Sequence, residues 1–379
     1  MALTNKLTAI GNAIRGKTGS TELLTLDGMV TAINGISTGG GTTLPEEALN
    51  ITGDCDHKFV NNSWNWFINN YGNQVTTNNI TNCNQMFYFN DGITNIPFSI
   101  NCDSTKLYIS CGSMFYGCTQ LTALPEVTIK PFTFGGVFRD CSCLREIPDS
   151  YSETFDFTYL NNYSGGSCNS NFDQCYSLRK IPSGFLKKIY CPSTNKTRHL
   201  YYYGFRSCYC LDEIVGLPIG TAVISGNAFT DTFTRIMRAK NVIFDTNEDG
   251  TAKTAQWSNQ TIDLQTAGHA TLPVSEFLKY NSGITADKEV KDDATYAALK
   301  NDPDWFTEYG RYSRYNKTSA IATINSLPDT SAYIAANGGT NTIKFKGVAG
   351  SATDGGAINT MTEEQIAVAT AKGWVVAYT

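Results

Sequence analysis

Basic residues are too few for a protein that grips nucleic acid. Lys and Arg number 29 against 34 Asp and Glu, the formal net charge is −5, and only 17% of the 379 residues are charged. Backbone-binding proteins carry a basic patch, so nucleic acid is not an expected partner. Long apolar runs are also missing: no stretch approaches the roughly 20 residues of a membrane-spanning helix. The first residues lack the basic-then-apolar order of a secretory signal, so neither membrane insertion nor export is expected. Histidine is scarce, at His57, His199 and His269, and none sits in a nucleophile motif. Zinc calls for CxxC-type pairs or nearby histidines, whereas the close cysteine pairs here have one residue between them; no metal or other cofactor is expected. Adjacent acids such as Glu46 with Glu47 and Asp292 with Asp293 do not define two sides of a scissile bond. The expectation is a binding or structural protein rather than an enzyme.

What is present is repetition. Aligned on a phenylalanine, one phrase recurs as MFYFNDGITNIP from Met86, MFYGCTQLTALP from Met114, VFRDCSCLREIP from Val137 and NFDQCYSLRKIP from Asn171. Weaker copies are GFRSCYCLDEIV from Gly204 and AFTDTFTRIMRA from Ala228. The template is Phe (87, 115, 138, 172, 205, 229), Cys three residues on, Leu at six, Ile or Leu at nine and Pro at ten. Cys118, Cys141, Cys175 and Cys208 occupy the Cys position, and Cys83, Cys111 and Cys168 lie four before the Phe. A cysteine that keeps one template position reads as a small buried residue stacking on its neighbours rather than as a disulfide framework. The Phe and the Cys three later are spaced for one inward-facing helical turn, followed by a short strand. Units of this kind cannot bury their apolar face alone and stack into an array.

Around that array the chain divides into four stretches. Residues 1–37 read as a helical pair with Leu3, Leu7, Ile10 and Ile14, then Met29, Ile33 and Ile36, on their apolar sides, a segment suited to anchoring on a partner. Within it Gly11, Gly16, Lys17 and Thr18 match the phosphate-loop letters, but helical periodicity stands where a buried strand is required. Residues 38–82 read as linker and N-terminal cap, with Trp64 and Trp66 in the cap core. The array itself spans 83–244, and 245–379 is a divergent and capping region. There Asp245, Asn247, Asp249 and Gly250 begin a calcium-loop pattern that fails at Gln256, where a bidentate Glu is needed; Asn241–Trp257 is expected to be a hairpin about an Asp-Gly turn. A strand at 341–345, a helix from 362 to 371 capped by Thr362 and a strand at 374–378 close the chain. Insertions after Pro148 and Pro182 carry Tyr151, Tyr159, Tyr163, Tyr190 and Tyr201 to Tyr203. Tyrosine suits partner or sugar contact; the other reading is that these rings seal the extra loops.

The MFYGCTQLTALP and VFRDCSCLREIP units resemble BspA-type leucine-rich repeats, found in bacterial surface proteins and phage structural proteins. The opening LTAIGNAIRGKTGSTELLTLDGMVTAINGI from Leu7 resembles N-termini of phage tail and fibre proteins, and VIFDTNEDGTAKTAQWSNQTIDL from Val242 is similar to virion-protein segments. Asn90 and Thr232 depart from the ladder Cys. The resemblance implies an α/β solenoid, a BspA-like leucine-rich repeat array with a short N-terminal helical anchor and an α/β C-terminal cap. It implies a phage virion protein of the tail fibre or baseplate, assembled in the host cytoplasm. Its N-terminus would meet other virion proteins, its repeats a host surface glycan or protein, and its copies one another as a homo-oligomer. A head decoration or head fibre protein, a bacterial surface adhesin and an envelope polysaccharide-degrading enzyme are the alternatives.

Overall fold

The computed structural model describes residues 49–107, 109–157, 170–189, 201–219, 223–224, 226, 228–234, 236, 239, 241–264, 317–345 and 361–378. The chain divides into two compact units, Met1–Leu49 and Asn50–Thr379. The anchor residues Leu3, Leu7, Ile10, Ile14, Met29, Ile33 and Ile36, together with Tyr159, Tyr163 and Tyr190, lie outside the described residues.

The second unit is built from short parallel pairings. Strand β1 (Asn50–Asp54) pairs with β2 (Thr76–Asn82), β3 (Ile100–Asn101) with β5 (Val127–Thr128), and β4 (Ile109–Ser110) with β6 (Pro131–Thr133). Further along, β7 (Glu213–Leu217) pairs with β8 (Asn241–Phe244), and β9 (Thr261–Asp263), β10 (Asn341–Phe345) and β11 (Trp374–Tyr378) form a parallel sheet in the order β11-β10-β9. Between strands lie the helices α1 (Asn65–Tyr71), α2 (Tyr151–Thr154), α3 (Ser183–Lys188), α4 (Lys317–Ser326), α5 (Ser331–Asn337) and α6 (Glu363–Ala371).

The repeated phenylalanines form one column. Ring centroids are 5.2 Å apart for Phe59 and Phe87, 5.5 Å for Phe87 and Phe115, 6.0 Å for Phe115 and Phe138, 5.7 Å for Phe138 and Phe172, and 5.5 Å for Phe172 and Phe205, with interplanar angles of 20° or less. The backbone at each Phe is not the helical turn that the spacing suggests. At Phe87, the N–H groups of Gln85, Phe87 and Phe89 donate to Gly112, Met114 and Tyr116 in the next copy, at 2.9, 2.9 and 2.7 Å. The same triplet of bonds leaves His57, Phe59 and Asn61 for the copy after it, and Ser170, Phe172 and Gln174 for theirs. Alternate N–H groups facing one neighbour is the bonding habit of a parallel sheet, not of a helix. The chain manages it while turning because the residues two before and two after the Phe have positive φ: Gln85 (51°) and Phe89 (51°), Ser113 (53°) and Gly117 (77°), Gly136 (67°) and Asp140 (57°). Outside glycine each such residue costs on the order of 1 kcal/mol, offset by the interlocked hydrogen bonds.

These bonds correct the sequence reading at both ends of the array. Phe59 stacks on Phe87, and Cys55, four before it, is buried, so a copy stands within the stretch read as linker and cap. At the other end Phe205 donates to Thr232 O and its ring lies 6.2 Å from Phe233, while Phe229 stacks on Tyr201 at 4.5 Å. Phe233, not Phe229, therefore continues the column. Trp64 and Trp66 are 40% and 60% exposed; Phe67 and Ile68 of the same helix supply the buried face.

The ladder position three after the Phe has a chemical requirement beyond size. Cys118 Sγ lies 3.1 Å from Phe87 O, Cys141 Sγ 3.1 Å from Phe115 O, Cys175 Sγ 2.9 Å from Phe138 O and Cys208 Sγ 2.9 Å from Phe172 O. Each thiol donates to the Phe carbonyl of the preceding copy. Asn90 Nδ2 does the same to Phe59 O at 3.0 Å. The departure at Asn90 thus preserves what the site needs, a buried side-chain donor, whereas Thr232 stands one before Phe233 rather than at the ladder position, and its Oγ1 donates to Tyr201 O at 2.7 Å. A carbonyl oxygen has two lone pairs; one accepts the backbone N–H of its own copy, as from Cys118 to Phe115, and the donor fills the other. Burial holds the Cys118, Cys141, Cys175 and Cys208 thiols well above their ordinary range, so they stay protonated and keep donating.

The C-terminal elements follow the sequence expectation. Thr362 caps α6 in a capping box with Gln365, and β10 and β11 run side by side. Helix α4 is tied to β8 by Thr323 Oγ1 donating to Val242 O (2.7 Å) and by Phe244 N donating to Ser326 Oγ (3.0 Å). The hairpin expected over 241–257 reduces to a single antiparallel bridge, Thr246 with Ala252, because β8 pairs in parallel with β7 instead. The calcium-loop letters are otherwise engaged: Asp245 is ion-paired with Lys187 (3.5 Å) and Lys253, and Asp249 accepts from Thr251 N and Oγ1 at 2.9 and 2.6 Å.

Candidate recognition surface

Tyr151 and Tyr201, two of the tyrosines proposed for recognition, are fully buried. Tyr151 Oη donates to Pro125 O at 2.6 Å and Tyr201 Oη to Pro218 O, so both rings are core whose hydroxyls satisfy carbonyls. Burial also raises the Tyr151 hydroxyl well above the ordinary tyrosine range. Tyr201 lies four before Phe205, the position held by Cys55, Cys83, Cys111 and Phe134 in other copies; that arithmetic marks it as interior. Tyr202 and Tyr203 remain half-buried at the surface, ring centroids 3.8 Å apart.

Those two tyrosines end a line of side chains contributed mostly by the residue following each Phe. Tyr88 and Tyr116 meet edge to face at 5.2 Å, and the Arg139 guanidinium lies over Tyr116 at 5.0 Å. Asp173 comes next, with no exposed side-chain surface. It accepts from Arg206 Nε and Nη2 at 2.8 and 2.7 Å, and Arg139 Nε approaches it to 3.3 Å without the alignment of a hydrogen bond. Arg206 in turn lies 3.8 Å over the Tyr203 ring. A buried carboxylate thus fixes two guanidinium groups against tyrosine faces. Charge-assisted bidentate bonding and cation–π contact both favour such a rigid arrangement. Phe89, 41% exposed, packs beside Tyr88 and Tyr116.

A second feature lies where the insertions begin. A cleft of about 670 Å³ is lined by Asp149 and Ser152 from one copy, by residues 179–184 from the next, and by Asp212, Glu213 and Val215 from the third. Asp149 and Ser183 are the residues immediately after Pro148 and Pro182. Lys180 Nζ bonds both carboxylate oxygens of Asp149, at 3.0 and 2.9 Å, and Asn241 Nδ2 donates to Glu213 Oε1 at 3.1 Å. The Asp149 pairing raises the Lys180 ammonium pKa. Glu146 and Lys180 are bridged partners in adjacent copies, and Glu213 holds the same template position in the third. The mixed charge comes from REIP, RKIP and DEIV, a column visible in the sequence and read there only as a strand entry. Close approach is enforced at Gly216, whose φ is 86°; a Cβ there would meet Lys187 Cγ at 2.9 Å and Ser183 O at 3.1 Å.

Among the described residues no group of three His, Cys, Asp or Glu is placed to hold a metal ion, and no helix is long and apolar enough to cross a membrane. The chain matches no protein-family model, no curated protein and no solved structure.

Proposed function

We propose that the chain is a structural protein of a phage virion, of the tail fibre or baseplate, that displays a leucine-rich-repeat-like solenoid to the bacterial envelope. In this reading residues 1–37 attach it to the particle and the repeat surface binds the host. The observation that carries the reading is the cleft across three successive copies, whose lining includes Asp149 and Ser183, the residues directly after Pro148 and Pro182. Acids, Arg179 and Lys180 beside Ile181, Pro182 and Val215 suit an envelope glycan, whose hydroxyl and charged groups can meet the charges while its ring faces meet the apolar side chains. Half-buried tyrosines and arginines nearby in sequence offer flat, low-entropy contact area.

The test is adsorption by particles carrying Lys180→Glu. Exchanging the cation places a third acid beside Asp149 and Glu213. Normal particle yield and normal incorporation of the protein, with adsorption reduced at least about tenfold as expected for one lost charged contact, supports the reading. Unchanged adsorption, or absence of the parent protein from purified particles, overturns it.

A further inference from the structure

Five of the ten described thiols donate to backbone carbonyls. The four ladder cysteines donate to Phe oxygens, and Cys111 Sγ donates to Thr133 O at 2.9 Å. Cys83 and Cys102 differ: their sulfurs face each other at 3.7 Å. The pairing comes from the strand order. Cys102 lies opposite Ile80 in a parallel bridge, and Cys83 follows the end of β2, which carries Ile80. Cys83 is fully buried, whereas Cys102 is half-buried and leads into the exposed residues 104–107.

We infer that Cys83 and Cys102 are an oxidisable pair that closes to a disulfide when the protein meets a low-molecular-weight disulfide such as glutathione disulfide. A sulfur–sulfur bond of about 2.05 Å requires the two sulfurs to close by only about 1.6 Å, within reach of side-chain rotation. Cys102, the accessible thiol, loses its proton and attacks one sulfur of glutathione disulfide, whose S–S bond breaks and releases one glutathione thiolate that takes up a proton. The Cys83 thiol then gives its proton to solvent and attacks the Cys102 sulfur, displacing the second glutathione. Two protein thiols are oxidised, and one small-molecule disulfide is reduced to two thiols. The cross-link ties the end of β2 to the end of β3 and encloses the Phe87 turn. Hydrogen bonding to Cys102 and burial both raise the Cys83 thiol, so the closing step quickens as pH rises.

The full chain is equilibrated with glutathione disulfide, alkylated, and cleaved after Lys58, Met86 and Lys106. These cuts leave Cys83 alone on one fragment and Cys102 alone on another. The expected result is that the two fragments stay joined until reductant is added, with the ladder cysteines recovered as free thiols once the chain is unfolded. Closing a loop of this length should also raise Tm by roughly 5 °C. In Cys83→Ser, glutathione is expected to remain attached at Cys102. Recovery of Cys83 and Cys102 on separate fragments from the oxidised parent, or joining of either to another cysteine, overturns the inference, and neither outcome depends on the variant folding.

Discussion

The ladder position after each Phe offers a test with opposite signs for its two readings. If Cys141 is only a small buried residue, replacing it with Val should be better tolerated than replacing it with Thr, because a buried hydroxyl without a partner costs roughly 1–3 kcal/mol. If the site needs a donor to Phe115 O, Thr should be the better replacement by about 1 kcal/mol, the net worth of a typical hydrogen bond. Thr and Val have nearly the same shape, so the strain of the extra branch, on the order of 1–3 kcal/mol, cancels in the comparison. The donor reading therefore predicts Cys141→Thr above Cys141→Val, measured as the shift of the urea midpoint at constant slope. Equal stability of the two Cys141 variants, or Val above Thr, would refute the donor requirement.

Three further perturbations follow from the same geometry. Asn90 donates through Nδ2 but leaves its buried Oδ1 without a partner, so Asn90→Thr should raise stability by about 1 kcal/mol in urea unfolding by deleting an unsatisfied acceptor. Asp173→Ala removes the acceptor from Arg206 and the ion-pair partner of Arg139; because those arginines keep 27% and 33% side-chain exposure, water relieves part of the loss and roughly 2–3 kcal/mol is expected, less than for a fully buried pair. Burial is the main cause that raises the Asp140 carboxyl above its ordinary 3.8. Its folded state therefore holds the proton longer than the unfolded chain does, and stability falls as pH rises from about 4 through the raised value. Asp140→Asn should flatten that slope and be more stable than the parent at pH 7; asparagine tolerates the φ of 57° there, and a parallel pH profile in both proteins would exclude the assignment.

Much of the array was legible because one strong spacing, Phe with Cys three later, survives in four copies. What escaped is equally instructive. The copy at Phe59 lacks the Cys, Leu and Pro marks, since Asn62 and Asn65 stand at three and six, and its stacking on Phe87 and its backbone bonds to Asn84, Met86 and Tyr88 reveal it. The last copy was placed four residues early because Phe229 and Phe233 are both aromatic and Thr232 mimics the ladder residue of Phe229. The positive φ values were invisible because Gln85, Ser113 and Asp140, not glycine, mostly occupy those positions. The cleft was out of reach for another reason: Asp149, Lys180 and Glu213 converge only when three copies are stacked, and no single copy contains the arrangement.

With Phe59 and Phe233 as the ends, the spacings between successive column positions are 28, 28, 23, 34, 33 and 28 residues. Three of the six are identical, and the two longest intervals are the ones that begin at Phe138 and Phe172 and contain Pro148 and Pro182. The turn at each Phe is fixed to its neighbour by three backbone bonds and one side-chain donor, so the chain between turns can lengthen without disturbing the column. Loop length is thermodynamically cheap, growing only logarithmically, whereas a change at the turn breaks bonds on two sides. Stability of the column and the recognition proposed for the cleft are therefore separable in this fold. Substitutions at Cys141 or Asp173 should shift unfolding, while Lys180→Glu, on the exposed wall of the cleft, should leave the unfolding free energy from urea titration within about 0.5 kcal/mol of the parent. A large loss of stability in Lys180→Glu would show that the Asp149 pairing is part of the scaffold and would remove the basis for assigning recognition to the cleft.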